Sequence, residues 1–233
     1  MLFFKQKKQE ENTALDAETR QKIVVTDIEY LEDQLDLIDL TEQDLIHIRS
    51  FQPTIQTFID EIINIFYDRL MKIDDLKQII ETKTTVEKLK KVVGNYLVLM
   101  FDGNLNKEII EKKRHIAKIH FNLGVEPKWY MGTFQQIQTV IYKKLLQEPN
   151  ITASPEQIAV ILAKFVNLEL QIVLEEYEYQ NRLLIEQRAN AVKQELKDKI
   201  SFITTKFLQL TQKSTDNMQA VQQTTEQLNE TIR

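Results

Sequence analysis

The chain has 233 residues, 42% of them hydrophobic and 28% charged, with four glycines, four prolines and no cysteine. That balance describes a globular protein with length for one domain and an appendage, and it excludes a disulfide framework or a thiolate metal site. The net charge of −5, with acidic and basic residues interleaved, leaves no basic field for nucleic acid.

So little glycine and proline predicts long helices and little sheet. Lys5, Lys7 and Lys8 follow an apolar run of only Met1 to Phe4, too short for a signal peptide, and residues 1 to about 17 read as a polar leader. No stretch approaches the roughly 18 apolar residues that a bilayer span needs. Together these features place the chain in the cytoplasm.

From about Thr26 to Ile38 the residues Ile28, Leu31, Leu35 and Ile38 recur at helical spacing. Thr41 with Asp44 predicts an N-cap for a helix carrying Leu45, Ile48 and Phe51. Pro53 is expected to start or kink the next helix, which turns Ile55, Ile59, Ile62, Ile63, Phe66 and Leu70 inward with Tyr67 at the edge of the stripe. Thr84 with Glu87 forms a capping box for a helix through Leu89, Val92, Val93, Tyr96 and Met100, which Asp102-Gly103-Asn104 ends.

The next helix, from about Asn106 to Phe121, sets His120 on an apolar stripe with Ile109, Ile116 and Leu123. Gly124 supplies its stop, and Pro127 opens a helix reaching to about Gln147. An imidazole facing an apolar interior needs a partner. Spacing alone leaves two readings open, a hydrogen-bonded core histidine or a ligand of haem iron. His115 cannot share an axial role with His120, since five residues turn a helix through about 500° and leave the two about 140° apart. His115 and His47 read as ordinary surface or hydrogen-bonded histidines.

Ser154-Pro155-Glu156-Gln157 combines a cap, a first-turn proline and an N3 glutamine. The helix it opens is apolar on two faces, one with Ile158, Ile161, Leu162, Phe165 and Ile172, the other with Ala159, Val166, Leu170 and Val173. Two faces predict either deep burial or a second packed surface. From about Arg182 a heptad pattern follows through Leu196, Ile200, Ile203, Phe207, Leu210, Val221 and Leu228, broken by Ser214, Asn217 and Thr224. It is still running at Arg233, so an output region is expected to be incomplete here.

One segment resembles a known family closely. The pattern I-A-x-x-H-x-x-x-G-x-x-P-x-W-Y-x-G, matched from Ile116 to Gly132, is similar to the F–G region of globin-coupled sensors, above all the soluble haem-based aerotaxis transducers. The likeness extends to Phe66-Tyr67, to Thr85 through Lys90, to Met100 through Gly103 and to Leu168 through Glu175, and covers roughly residues 27 to 185. It implies an all-α globin fold with an extra N-terminal helix and a long C-terminal helix that continues into a coiled coil. The implied organisation is a leader and start of the extra helix over 1–25, a haem sensor domain over 26–181 and the start of a signalling coil over 182–233.

The resemblance also implies site residues. His120 becomes the proximal ligand of a haem b iron, and Tyr67 the distal donor to a bound gas. Aerotaxis transducers have a distal threonine where this chain has Val92, so one hydroxyl is gone. Tyr96, four residues on and on the same face, becomes a second candidate for ligand contact. Leu89, Val93, Ile116, Leu123, Phe66 and Tyr130 are expected to face the cofactor, with Tyr130 also a relay. Family sensors pair through their last two globin helices, which implies a homodimer, a diatomic gas as ligand and chemotaxis signalling proteins as partners. No glycine-rich nucleotide motif is present, so the chain reads as a sensor and not an enzyme. The rival reading is a haem-free globin scaffold that binds a protein or an apolar ligand.

Overall fold

A computed structural model describes residues 25–83 and 85–232 of the chain. The polar leader and Thr84 lie outside them. Among the described residues there are seven α-helices: α1 (Glu32–Leu37), α2 (Glu42–Leu70), α3 (Asp74–Lys83), α4 (Val86–Met100), α5 (Lys107–Asn122), α6 (Pro127–Leu145) and α7 (Pro155–Ile232). Two short strands, β1 (Val25–Thr26) and β2 (Leu105–Asn106), pair in parallel, Val25 with Leu105 and Thr26 with Asn106. The chain forms two compact units, one ending at Gln180 and one beginning at Asn181.

The first unit is the all-α globin-like fold expected. Helix α2 packs most extensively on α4 and α6. Phe51, Ile55 and Ile62 of α2, Leu97 of α4, Ile141 of α6 and Ile158, Leu162 and Phe165 of α7 meet in the main core. A second cluster joins Leu31, Leu35, Leu40 and Leu45 to Leu105, Ile110, Leu168 and Ile172. Burying that many large aliphatic side chains is the main stabilising term of the fold, each contributing about 1.5–3 kcal/mol.

The elements differ from expectation at several points. The segment Thr26–Ile38 is not one helix, because Thr26 pairs as strand and only Glu29–Leu31, a 3₁₀ turn, and α1 are helical. Pro53 does not divide its helix: α2 runs through it, with Phe51 and Ile55 on either side fully buried and holding both halves on one stripe. Helix α3 was not legible from spacing. Its start lacks a strong cap, and only Leu76 and Ile80 of its ten residues are buried. The cap of α4 is Thr85, whose hydroxyl accepts from the Lys88 amide at 3.4 Å.

Capping chemistry elsewhere follows the sequence. Thr41 and Asp44 form a reciprocal box at α2, and Ser154 with Gln157 does the same at α7. Asn106 caps α5 by accepting from the Ile109 amide at 3.0 Å.

The end of α5 is a Schellman turn. Gly124 has a φ of 78°, its amide bonds to the Phe121 carbonyl at 3.0 Å, and the Val125 amide bonds to the His120 carbonyl at 3.0 Å. Gly124→Ala is expected to lower stability by about 1–2 kcal/mol, since a Cβ is strained in the left-handed region; the urea unfolding midpoint reads this directly.

One window of α7 is long and apolar enough to cross a bilayer by length and composition, contrary to the sequence expectation, but 44% of it is buried inside the protein. Its apolar residues Ile158, Ile161, Leu162, Phe165, Leu168 and Ile172 are core side chains. From Ile185 to Glu230 every α7 residue is exposed. The heptad residues Val192, Leu196, Ile200, Ile203, Phe207, Leu210, Val221 and Leu228 are each more than half exposed.

Candidate functional site

Helices α2, α3, α4, α5 and α6 enclose a cavity of about 280 Å³ in the first unit. All ten residues singled out from the sequence border it: Phe66 and Tyr67 from α2, Leu89, Val92, Val93 and Tyr96 from α4, Ile116 and His120 from α5, Leu123 just beyond α5, and Tyr130 from α6. Most do so because they occupy the inward stripe of their helix, and the Schellman turn at Gly124 redirects the chain so that α6 closes the same space. His115 is exposed, and His47 stands half-buried with its ring 6.4 Å from that of Phe51; neither borders the cavity.

His120 is the cavity's one titratable imidazole. Its Nδ1 lies 2.8 Å from the Ile116 carbonyl oxygen. A carbonyl can only accept, so the proton sits on Nδ1 and donates, and Nε2 keeps its lone pair. Burial lowers the His120 pKa, against the opposing Ile116 hydrogen bond, so the ring is neutral at pH 7. The ring meets Tyr130 edge-on, with centroids 5.3 Å apart at 83°. Tyr130 in turn stacks on Phe134 at 4.9 Å. Two contacts therefore fix the imidazole's orientation, its own helix carbonyl and the edge-on Tyr130 ring, which Phe134 backs.

Tyr67 is 3% exposed, its ring edge-on to Phe66 at 4.8 Å. Its hydroxyl has no hydrogen-bond partner among the described residues, and burial pushes its pKa up. Tyr96 differs. Its hydroxyl donates to Glu169 Oε2 on α7 at 3.3 Å, so it is engaged away from the cavity. Val92 borders the cavity at its mouth and is 64% exposed. Its side chain is therefore less deeply placed than helical periodicity implied.

The rest of the lining came from features that sequence reasoning passed over. Leu76, Ile79, Ile80 and Lys83 of α3 form part of the wall; the three apolar members keep helical spacing, but over too short a run among charges to mark a helix by itself. Trp129 contributes its indole, whose N–H is buried without a hydrogen-bond partner among the described residues. An unpaired buried donor of this kind is costly.

The donor set decides what chemistry the cavity can host. Among the described residues no three His, Asp or Glu side chains cluster to hold a bare metal ion. One neutral imidazole with a free lone pair, set in apolar walls, instead fits a metal that arrives with its other ligands already in an apolar ring. Lys83 on the lining suits a carboxylate at the edge of such a ring. The residues present fit haem.

Comparisons with known proteins agree with this fold. Over 186 residues the chain is 25% identical to the heme-based aerotactic transducer HemAT of Halobacterium salinarum (strain ATCC 700922 / JCM 11081 / NRC-1), a match covering 72% of this chain and 38% of that protein. The chain thus spans well under half the length of that relative. Among solved structures, the globin domain of the Geobacter sulfurreducens globin-coupled sensor superposes with a TM-score of 0.58 at 17% identity, over 63% of this chain and 97% of that domain. The protoglobin family model matches residues 28–182, two-thirds of the sequence and the whole cavity: the chain belongs to the protoglobin family.

Proposed function

We propose that this protein is a haem-based sensor of oxygen or another diatomic gas, the input half of a cytoplasmic chemotaxis transducer, and not an enzyme. The observation that carries the reading is His120, oriented by Ile116 and Tyr130 and left with a free Nε2 lone pair in an apolar cavity. Haem b, when bound, would supply an iron that can bind a diatomic gas.

The chain's own residues do the rest. His120 Nε2 would hold the iron, and the Nδ1–H bond to Ile116 fixes the ring and raises its basicity. Phe66, Leu89, Val93, Ile116 and Leu123 exclude water, so any polar contact inside is strengthened by the low local dielectric. The Tyr67 hydroxyl is the donor available to a polarised ligand, with Val92 offering shape and no second hydroxyl. Lys83, on the cavity lining, would pair with an acidic edge of the cofactor.

Helix α7 is read as the output element. Beyond Gln180 its heptad stripe is exposed, and on the first unit Val160 and Leu174 are exposed beside the buried face. A second copy paired along these residues would cover both. Gas binding acts on such a dimer only through a differential affinity for two packings of the helices. Chemotaxis signalling proteins are the partners this reading requires.

The test is an absorption spectrum of the hemin-reconstituted, reduced chain before and after air, with His120→Ala beside it. A Soret band and a stable oxygenated spectrum are expected in the wild type, and loss of both in the variant. A wild-type chain with no Soret band would replace this reading with a haem-free globin scaffold.

A further inference from the structure

The most deeply buried charges of the first unit have no part in the gas site itself. Lys113 of α5 and Glu169 of α7 form an ion pair with side chains only 4% and 1% exposed. The Tyr96 hydroxyl donates to the other oxygen of Glu169 at 3.3 Å. The Lys113 ammonium also stands 5.7 Å from the Phe165 ring centroid, so α7 surrounds it with a carboxylate and an aromatic face.

These three residues join three helices to one cavity. Tyr96 borders the cavity from α4. Lys113 precedes His120 by seven residues on α5, close to two turns, so both project from the same face. Glu169 sits on α7 between them. Burial lowers the pKa of the Lys113 ammonium, against the pull of the Asp102 carboxylate, and burial also raises that of Tyr96.

Stability alone does not call for such a cluster, because a buried ion pair exchanged for apolar residues of similar volume is often neutral or better. What it does confer is position. Helix α7 cannot slide or turn against α5 without separating two desolvated charges, and a shift of α4 at the cavity disturbs the acceptor that both share.

We propose that Tyr96, Glu169 and Lys113 are positioning residues through which occupancy of the cavity is felt by α7, with the Tyr96 hydroxyl acting on Glu169 and not on the ligand. The inference rests on the gas-sensing reading above. Displacement of α4 or α5 by a bound gas is passed to Glu169, and α7 moves with it or loses its partners. The coupling is a two-ended constraint, so a change at α7 acts back on the cavity to the same degree.

The experiment is hydrogen–deuterium exchange on the full chain loaded with hemin and reduced, with and without carbon monoxide, read on α7 peptides from residues 165–177. In the wild type the exchange rates of these peptides are expected to differ about fivefold or more between the two conditions. In Lys113→Met/Glu169→Met, which leaves no lone buried charge, the Soret band is retained and the difference falls below about twofold. If that variant does not fold, Lys113→Met/Glu169→Gln replaces it under the same criterion, since glutamine still accepts from Tyr96 and only the link to α5 is removed. An undiminished difference in a folded, haem-loaded variant overturns the proposal, as does a haem-loaded wild type whose α7 ignores carbon monoxide. A wild type without a Soret band overturns the gas-sensing reading and this proposal with it, so the spectrum separates the two failures.

Discussion

Glu169→Met alone is expected to destabilise the first unit by about 3–5 kcal/mol, because it leaves the Lys113 ammonium buried with its carboxylate removed. For a domain of this size each kcal/mol moves the thermal midpoint by about 2–4 °C, so a loss on the order of 10 °C should be visible by circular dichroism. Adding Lys113→Met to the same chain should restore most of the loss, within about 1–2 kcal/mol of the wild type. The recovery is the diagnostic part. Two independent surface residues would give additive losses, whereas a desolvated pair gives a double variant more stable than either single one. A single-variant loss under about 1 kcal/mol would place the pair in the class of solvated surface bridges and contradict its burial.

Tyr67→Phe carries the second large effect. The hydroxyl it removes belongs to a side chain only 3% exposed and has no hydrogen-bond partner among the described residues, and it is the donor assigned to a polarised gas. Losing a hydrogen bond in a dry pocket costs about 1–3 kcal/mol, which converts to oxygen dissociation faster by about 5- to 150-fold. Carbon monoxide carries less charge on its outer atom, so its dissociation should change less. Tyr96→Phe should move oxygen dissociation far less than Tyr67→Phe, since the Tyr96 hydroxyl already donates to Glu169. Stopped-flow mixing of the oxygenated protein with dithionite and carbon monoxide separates the two tyrosines, and an unchanged rate in Tyr67→Phe would remove Tyr67 from the site.

The part of the molecule that was legible in the sequence is the part with punctuation. Gly124 and Pro127 mark the corner after α5, and Ser154, Pro155 and Gln157 mark the start of α7; in each case a backbone requirement selects the residue type. The cavity walls were legible for a different reason, since inward stripes on four helices recur at helical spacing and must face something. Where neither signal exists, the reading stopped. Helix α3 buries only Leu76 and Ile80 and begins at a pair of aspartates, so its spacing is too thin to stand above the charges around it.

The Lys113–Glu169 pair was hidden more thoroughly. Lys113 lies in Glu111-Lys112-Lys113-Arg114, a run that has the composition of a solvated face, and its partner is far along the chain on another helix. Only the packing of α5 against α7 reveals that one of these four charges points inward. Val92 illustrates the converse limit. Periodicity placed it on the inward stripe, yet the cavity opens beside it and leaves it mostly exposed.

The parallel pairing of Val25 and Thr26 with Leu105 and Asn106 has a practical reach beyond its two residues. Asn106 is at once the strand partner of Thr26 and the side chain that caps α5, the helix whose last turn carries His120. The family match begins only at residue 28, two residues past the end of the strand. A minimal domain trimmed to the family boundary would discard β1 and loosen the root of the helix on which the imidazole is mounted. The folding unit therefore begins earlier than the evolutionary one, and a truncation series across residues 24 to 28 should show cofactor retention failing before helicity does.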